Sequence, residues 1–305
     1  MEHVHRGFII KKLRLQKNIT QEKLAAGIMD RAHLSHVESG RYDLSEVKLD
    51  AIMNRLGYVA NELSHLALSD AENRIFYLRD KLSDSLSLHD YETAASLISE
   101  MEKTPGCSEG LHKQFLLRSK AVLCLGLGND LDLVRTYLDE AISHTIPAFK
   151  EELVQNHFFT NEDVEIVSMM AEIYSIDGMY DNAVALLEKL MHSIKENVIN
   201  AYNKARHLTL TMYNQSIYLT LQQKHIKALG VCDEAIRIGQ NNRVYGLIPK
   251  LMASKACCLH RLGKGNESKD LFQQAYSAML ALGLETDATD LRNDSLIQYN
   301  IDIIA

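Results

Sequence analysis

Three prolines in 305 residues (Pro105, Pro147 and Pro249) leave this chain few positions at which a helix is forbidden. Proline removes a backbone donor and clashes with the preceding turn, so its scarcity permits long helical stretches. Apolar residues recur at three- and four-residue intervals through most of the chain, and the breaks fall at Gly, Asn and Asp. The expected fold class is all-α. A hydrophobic fraction of 46% with 24% charged residues supplies a core and argues against a disordered chain. The length suggests two domains, at roughly 100–200 residues each.

The first 66 residues divide into short helices with recognisable ends. Phe8, Ile9, Leu13 and Leu15 give one apolar pattern that stops at Asn18. Thr20 is placed to cap a second helix from Gln21, Asp30 a third through Val37, and Ser45 a fourth carrying Val47, Leu49, Ile52, Met53 and Leu56. Gly40 and Gly57 follow helices, as glycine does at a left-handed stop. A fifth helix is expected over Val59–Leu66. Charge is skewed here: residues 1–41 hold eight Lys and Arg against four acids, a surplus of four, whereas the whole chain carries −7 and the remaining 264 residues therefore −11. A basic head on an acidic body points to a polyanionic partner at the head.

The string TQEKLAAGIMDRAHLSHVESGR, from Thr20 to Arg41, resembles the helix-turn-helix of the Xre/Cro-type repressor family, whose pattern is TQ-x-x-LA, a turn, then S-x-x-E-x-G. The resemblance implies that the third helix enters the major groove of duplex DNA. It implies that Gln21 clamps a phosphate, that Arg31, Ala32, His33 and His36 face the bases, and that Arg41 and Tyr42 meet the next phosphate. Arg14 and Glu38 match the family's structural ion pair between the first and third helices. The segment between Leu24 and Glu38 is one residue shorter than in many phage-type repressors, which implies an altered entry angle for the reading helix.

Beyond residue 66 a small–bulky–small pattern recurs: Ala94-Ile98-Met101, Val134-Leu138-Ala141, Ala183-Leu187-Leu190, Ala228-Cys232-Ala235 and Ser268-Phe272-Ala275. The first members lie 40 to 49 residues apart, and a turn sequence precedes each. These segments resemble degenerate tetratricopeptide repeats, which implies paired helices stacked into a right-handed solenoid with a concave binding face. Residues 287–304 read as a closing helix. In such repeats the groove-facing residues lie about 14 and 11 positions before the small residue, giving Asn214 and Ile217, Met169 and Glu172, and Ser254 and Cys257. Asn203, His207, Tyr213 and Lys250 fall on the same face or at its edge. An amide such as Asn214 is suited to a peptide backbone because it donates and accepts at once.

An Xre-type reader (residues 1–66) followed by about five such repeats (residues 67–305) resembles the RNPP family of peptide-pheromone receptors of Gram-positive bacteria. The resemblance implies a transcription regulator of quorum-sensing type: a homodimer on a two-fold-related double-stranded operator, with a short signalling peptide in the repeat groove. The alternative is a repressor or scaffold whose repeat domain binds a protein partner. No nucleophile elbow, phosphate loop or metal box appears, so neither an enzyme nor a cofactor or metal is expected. Five scattered cysteines without a CxxC pair read as buried, reduced thiols. No apolar run approaches the ~18–20 residues of a membrane span, and the sequence MEHVHRGFIIKKLR lacks a signal peptide's apolar core, so a cytoplasmic location without membrane contact is expected.

Overall fold

The structure is a computed structural model that describes residues 6–58, 70–128, 130–198 and 200–303. Among them every regular element is helical. The reader comprises α1 (Arg6–Gln16), α2 (Gln21–Ala25), α3 (Arg31–Glu38) and α4 (Glu46–Arg55). The fifth helix expected over 59–66 lies outside the described residues. The repeats follow as α5 (Asp70–Ser87), α6 (Tyr91–Lys103), α7 (Gly110–Gly126), α8 (Leu131–Ser143), a 3₁₀ turn (Glu151–Asn156), α9 (Asn161–Ile176), α10 (Tyr180–Asn197), α11 (Ala201–Leu221), α12 (His225–Asn241), α13 (Ile248–Arg261), α14 (Gly265–Ala281) and α15 (Glu285–Tyr299).

The helix starts follow the side chains that the sequence singled out. Thr20 accepts from the Lys23 N–H and Asp30 from the His33 N–H at 2.7 Å, each satisfying a first-turn donor that has no partner inside the helix. Ser45 occupies the N-cap of α4 without a side-chain cap bond. Asp90 and Asp130 cap α6 and α8 in the same manner. The small–bulky–small pattern is the core: all fifteen of its residues are buried, none more than 6% exposed. They lie on α6, α8, α10, α12 and α14, the second helix of each expected pair.

The chain forms two compact units, Met1–Ile173 with Asn197–Asn200, and Tyr174–Glu196 with Ala201–Ala305. In the first, α1–α4 enclose a core of Ile10, Leu24, Leu34, Val37, Ile52 and Leu56, and Leu111 of α7 packs against it. The following helices pack on their sequence neighbours, α5 on α6, α6 on α7 and α7 on α8, and α5 also touches α7. In the second, α11 to α15 pack successively in the same way and α11 touches α13. Contact between alternate helices is how tetratricopeptide-like hairpins stack. The end of the chain returns to this unit: Ile301 and Ile303 are buried with Phe272, Tyr276 and Ala288.

The first unit joins reader to repeats through close backbone contact. Gly27, in the turn between α2 and α3, has φ +71°, and a Cβ placed there would lie 1.9 Å from the Thr145 carbonyl oxygen. Both the conformation and the space demand glycine. Gly178 has a similar φ of +76° but open surroundings. Gly27→Ala should therefore destabilise the chain by about 2–4 kcal/mol, against about 1 kcal/mol for Gly178→Ala, where only the left-handed backbone penalty applies. Urea unfolding of both variants checks this; equal losses would mean that the Thr145 contact relaxes at no cost.

Candidate functional site

Two regions gather the predicted residues. The first is the exposed side of α3. Arg31, Ala32 and Ser35 are exposed while Leu34, Val37 and Glu38 face inward, so the helix divides into a free edge and an anchored one. The anchor is ionic. Arg14 Nε and Nη2 meet Glu38 Oε1 and Oε2 at 2.6 and 2.7 Å, a two-point fork, and Arg14 Nη1 donates to the Ile19 carbonyl at 2.9 Å. The Glu38 hydrogen bond raises the Arg14 pKa, so the guanidinium is charged at neutral pH. It holds α1 to α3, the role expected of these two residues.

Gln21 is partly absorbed by this anchor: its Nε2 donates to Glu38 Oε2 at 2.8 Å. An amide nitrogen carries two donors, so one hydrogen remains for a phosphate. His33 and His36 are half-buried, and the Tyr42 ring lies over both, with centroids 5.9 and 5.3 Å away. Tyr42 itself is 57% exposed and Arg41 is exposed beside it. Thus Arg31, Ala32 and Arg41 are free-standing, whereas His33, His36 and Tyr42 form one aromatic cluster.

A residue that the sequence reading passed over fixes the turn before α3. Arg55, buried on α4, donates to the carbonyls of Leu24 (3.0 Å), Ala26 and Phe158 (2.9 Å). Its guanidinium lies 5.3 Å from the Phe158 ring, as does the Lys23 ammonium. Burial lowers its pKa to about 10, partly opposed by the charge of Asp163. Asp163 in turn accepts from Gln114 (2.8 Å), from Thr145 and from the Thr160 N–H (2.8 Å). An arginine in an apolar helical stretch carries no sequence signal that distinguishes it from a surface residue.

The second region is a cleft of about 340 Å³ in the second unit. Its walls are α11 (Tyr213, Ile217, Thr220, Leu221), α13 (Lys250, Ala253, Ser254, Cys257) and α15, with Phe272 and Met279 of α14 contributing apolar surface. Of the predicted groove residues, Tyr213, Ile217, Lys250, Ser254 and Cys257 meet here. Burial raises the Tyr213 pKa to about 12, so its phenol is a neutral donor. Ser254 already bonds Ser216 at 2.8 Å and lies 3.6 Å from Cys232 Sγ. Asn214 is half-buried next to Tyr213 but outside the lining. Asn203 and His207 are buried in the first half of α11 and do not line the cleft. Met169 and Glu172 are half-buried on the part of α9 that belongs to the first unit.

Among the described residues no group of His, Cys, Asp and Glu is arranged to hold a metal ion, and no helix is long and apolar enough to cross a membrane. The cysteines are free thiols, with Cys107, Cys232 and Cys258 buried.

Residues 10–60 match the family described as helix-turn-helix. No curated protein matches the chain. Among solved structures it is similar to PlcR of Bacillus thuringiensis in complex with the peptide PapR7 and DNA, at 20% identity and a TM-score of 0.64, covering 95% of this chain and 99% of that one. This chain has that fold. It is also similar to ComR from S. thermophilus in complex with DNA and its signalling peptide ComS, at 16% identity and a TM-score of 0.55, covering 95% of this chain and 98% of that one. A helix-turn-helix domain followed by tetratricopeptide-like helices is the architecture that the resemblance to the RNPP family implies.

Two outcomes follow from these geometries. Glu38→Ala strands a buried guanidinium and should cost about 3–5 kcal/mol in chemical unfolding; a loss under about 1 kcal/mol would mean that α3 is held without the pair. His207 has its pKa lowered to about 4 by burial, with a smaller contribution from the Arg206 charge. The unfolded state, with an imidazole pKa near 6.5, takes up a proton first, so stability is lost as pH falls from about 6.5 towards 4. Between pH 7 and 5 the His207→Gln variant should lose up to about 2 kcal/mol less than the parent; parallel losses in urea titrations would place the acid sensitivity elsewhere.

Proposed function

We propose that this chain is a DNA-binding transcription regulator controlled by a short signalling peptide. Residues 1–66 read a duplex operator and residues 67–305 bind the peptide and carry the dimer contact. The observation that supports this most directly is the pairing, on one chain, of an exposed edge on α3 with an apolar-floored cleft between α11, α13 and α15. The fold is shared along nearly its full length with a protein solved with both peptide and DNA. The helix-turn-helix match favours a binding protein over an enzyme.

In this reading Arg31 reads a guanine through O6 and N7, the exposed Ala32 methyl meets a thymine methyl, and Gln21 and Arg41 hold the flanking phosphates. The His33, His36 and Tyr42 cluster forms the shoulder beside them. Two readers related by a two-fold axis fit an operator with two half-sites. The peptide acts by binding one arrangement of the readers more tightly than another, because a ligand with equal affinity for both shifts nothing. A cytoplasmic location follows from both partners.

Fluorescence anisotropy of the chain on its own upstream DNA, with and without peptides encoded by neighbouring small reading frames, tests the whole proposal. A peptide-dependent change in affinity or stoichiometry is the expected result; tight DNA binding indifferent to every peptide would favour a protein partner at the repeats. Arg31→Ala should cost about 1–3 kcal/mol on the operator and little on random duplex. Equal affinity of parent and variant for the operator would remove Arg31 from base reading.

A further inference from the structure

The charge on the walls of the α11–α13–α15 cleft is lopsided. α15 places Asp287, Asp290 and Asp294 along one edge, at spacings of three and four residues, which puts them on one helical face. One cation faces them: Lys250 Nζ lies 2.8 Å from Asp287 Oδ1. Asp294 accepts from Gln298 at 3.2 Å, a neutral partner. Among the described residues no Lys or Arg lies within ion-pair distance of Asp290 or Asp294. The lining therefore carries three carboxylates against one ammonium, beside an apolar floor that includes Ile217, Phe272 and Leu291.

We infer that the occupant of this cleft is a short peptide that presents a positively charged group next to bulky apolar side chains. The inference rests on the peptide reading proposed above and specifies the chemistry of that peptide. An acidic peptide would be repelled by the net charge of −2 on the walls. A wholly apolar one would fill the floor but strip water from Asp290 and Asp294 and offer nothing in return, which costs free energy. A cation satisfies both carboxylates while the neighbouring side chains cover Phe272 and Leu291, so attraction and burial act together. The volume sits at the lower end of small-ligand pockets, roughly 300–1,000 Å³, and suits a few residues of peptide rather than a folded surface. The positive group is a Lys or Arg side chain or the peptide's own amino terminus.

The test is selection of synthetic heptapeptides, from a library randomised at every position, on the full-length chain. Asp290→Asn/Asp294→Asn and Asp290→Lys/Asp294→Lys double variants are run in parallel. Both positions are exposed, so the substitutions leave the core intact, which circular dichroism checks. The parent is expected to enrich peptides that combine a positive group with aliphatic or aromatic residues. The Asn variant is expected to bind these about tenfold more weakly, and the Lys variant to enrich Asp- and Glu-bearing peptides instead. An amino-terminally acetylated copy of the library separates the two sources: persistence of the preference assigns the charge to a side chain, and its loss to the terminus. Peptides selected without charge preference, or with one that both variants retain, overturn the inference while leaving the peptide reading intact. Failure to retain any heptapeptide overturns both.

Discussion

The guanidinium of Arg55 occupies the point on which the reader's geometry turns. It draws together the carbonyls of Leu24 and Ala26, at the end of α2, and that of Phe158, in the segment before α9. The Leu24 and Ala26 carbonyls have no helical partner of their own, because a helix leaves its last acceptors unbonded, and Phe158 lies outside any helix. A buried charge is tolerated there because several dipoles converge on it, and its lowered pKa of about 10 still leaves it ionised at neutral pH. The α2–α3 turn is thereby set against the Thr145 backbone, and the direction of α3 follows. Arg14 and Glu38 then fix the other end of the same helix. The reading helix is thus held at both ends by arginines, and only its outer edge is left free.

Periodicity and capping were the parts of the fold legible in the sequence. Thr20 and Asp30 act as the caps their positions suggested, and all five small–bulky–small triads fell in the core, because both signals depend on local spacing. The Arg14–Glu38 pair was legible through a motif resemblance. Arg55 and its link to the Asp163 network were not, since the partners of Arg55 lie roughly 30 to 100 residues away and are backbone carbonyls that no side-chain pattern encodes, and Gln114 reaches Asp163 from another helix. In the groove, counting along each first helix found the right faces of α11 and α13, with Ile217 and Ser254 in the lining, but not how far each side chain reaches. Asn203 and His207 illustrate this: they sit about two to three turns before the cleft, in a stretch of α11 that is packed rather than open. The wall supplied by α15 was missed because the closing helix stands outside the repeat register.

Charge has a different job in each half of the chain. Residues 1–41 carry a surplus of four positive charges, which suits a polyanionic partner at the head, while the remainder carries −11. The same acidity is spent locally on α15, where it is concentrated on one side of an apolar cleft. A bias that is diffuse over the body becomes discriminating where water is partly excluded.

The segment Asn197–Asn200 belongs with the reader's unit although the helices on either side of it, for most of their length, do not. Asn200 bonds the Gly57 carbonyl, and Asn197 bonds both Lys23 and the His157 carbonyl. The first unit is therefore discontinuous in sequence. The usual modular picture, in which a DNA-reading head is inherited or exchanged as one uninterrupted segment, does not fit such a chain. Moving this head onto a relative's repeats is a two-piece graft, and recombination that carries only the N-terminal piece leaves Gly57 and Lys23 facing a connection shaped for another reader. Compatibility at those four residues is a constraint on how proteins of this architecture can exchange their N-terminal domains.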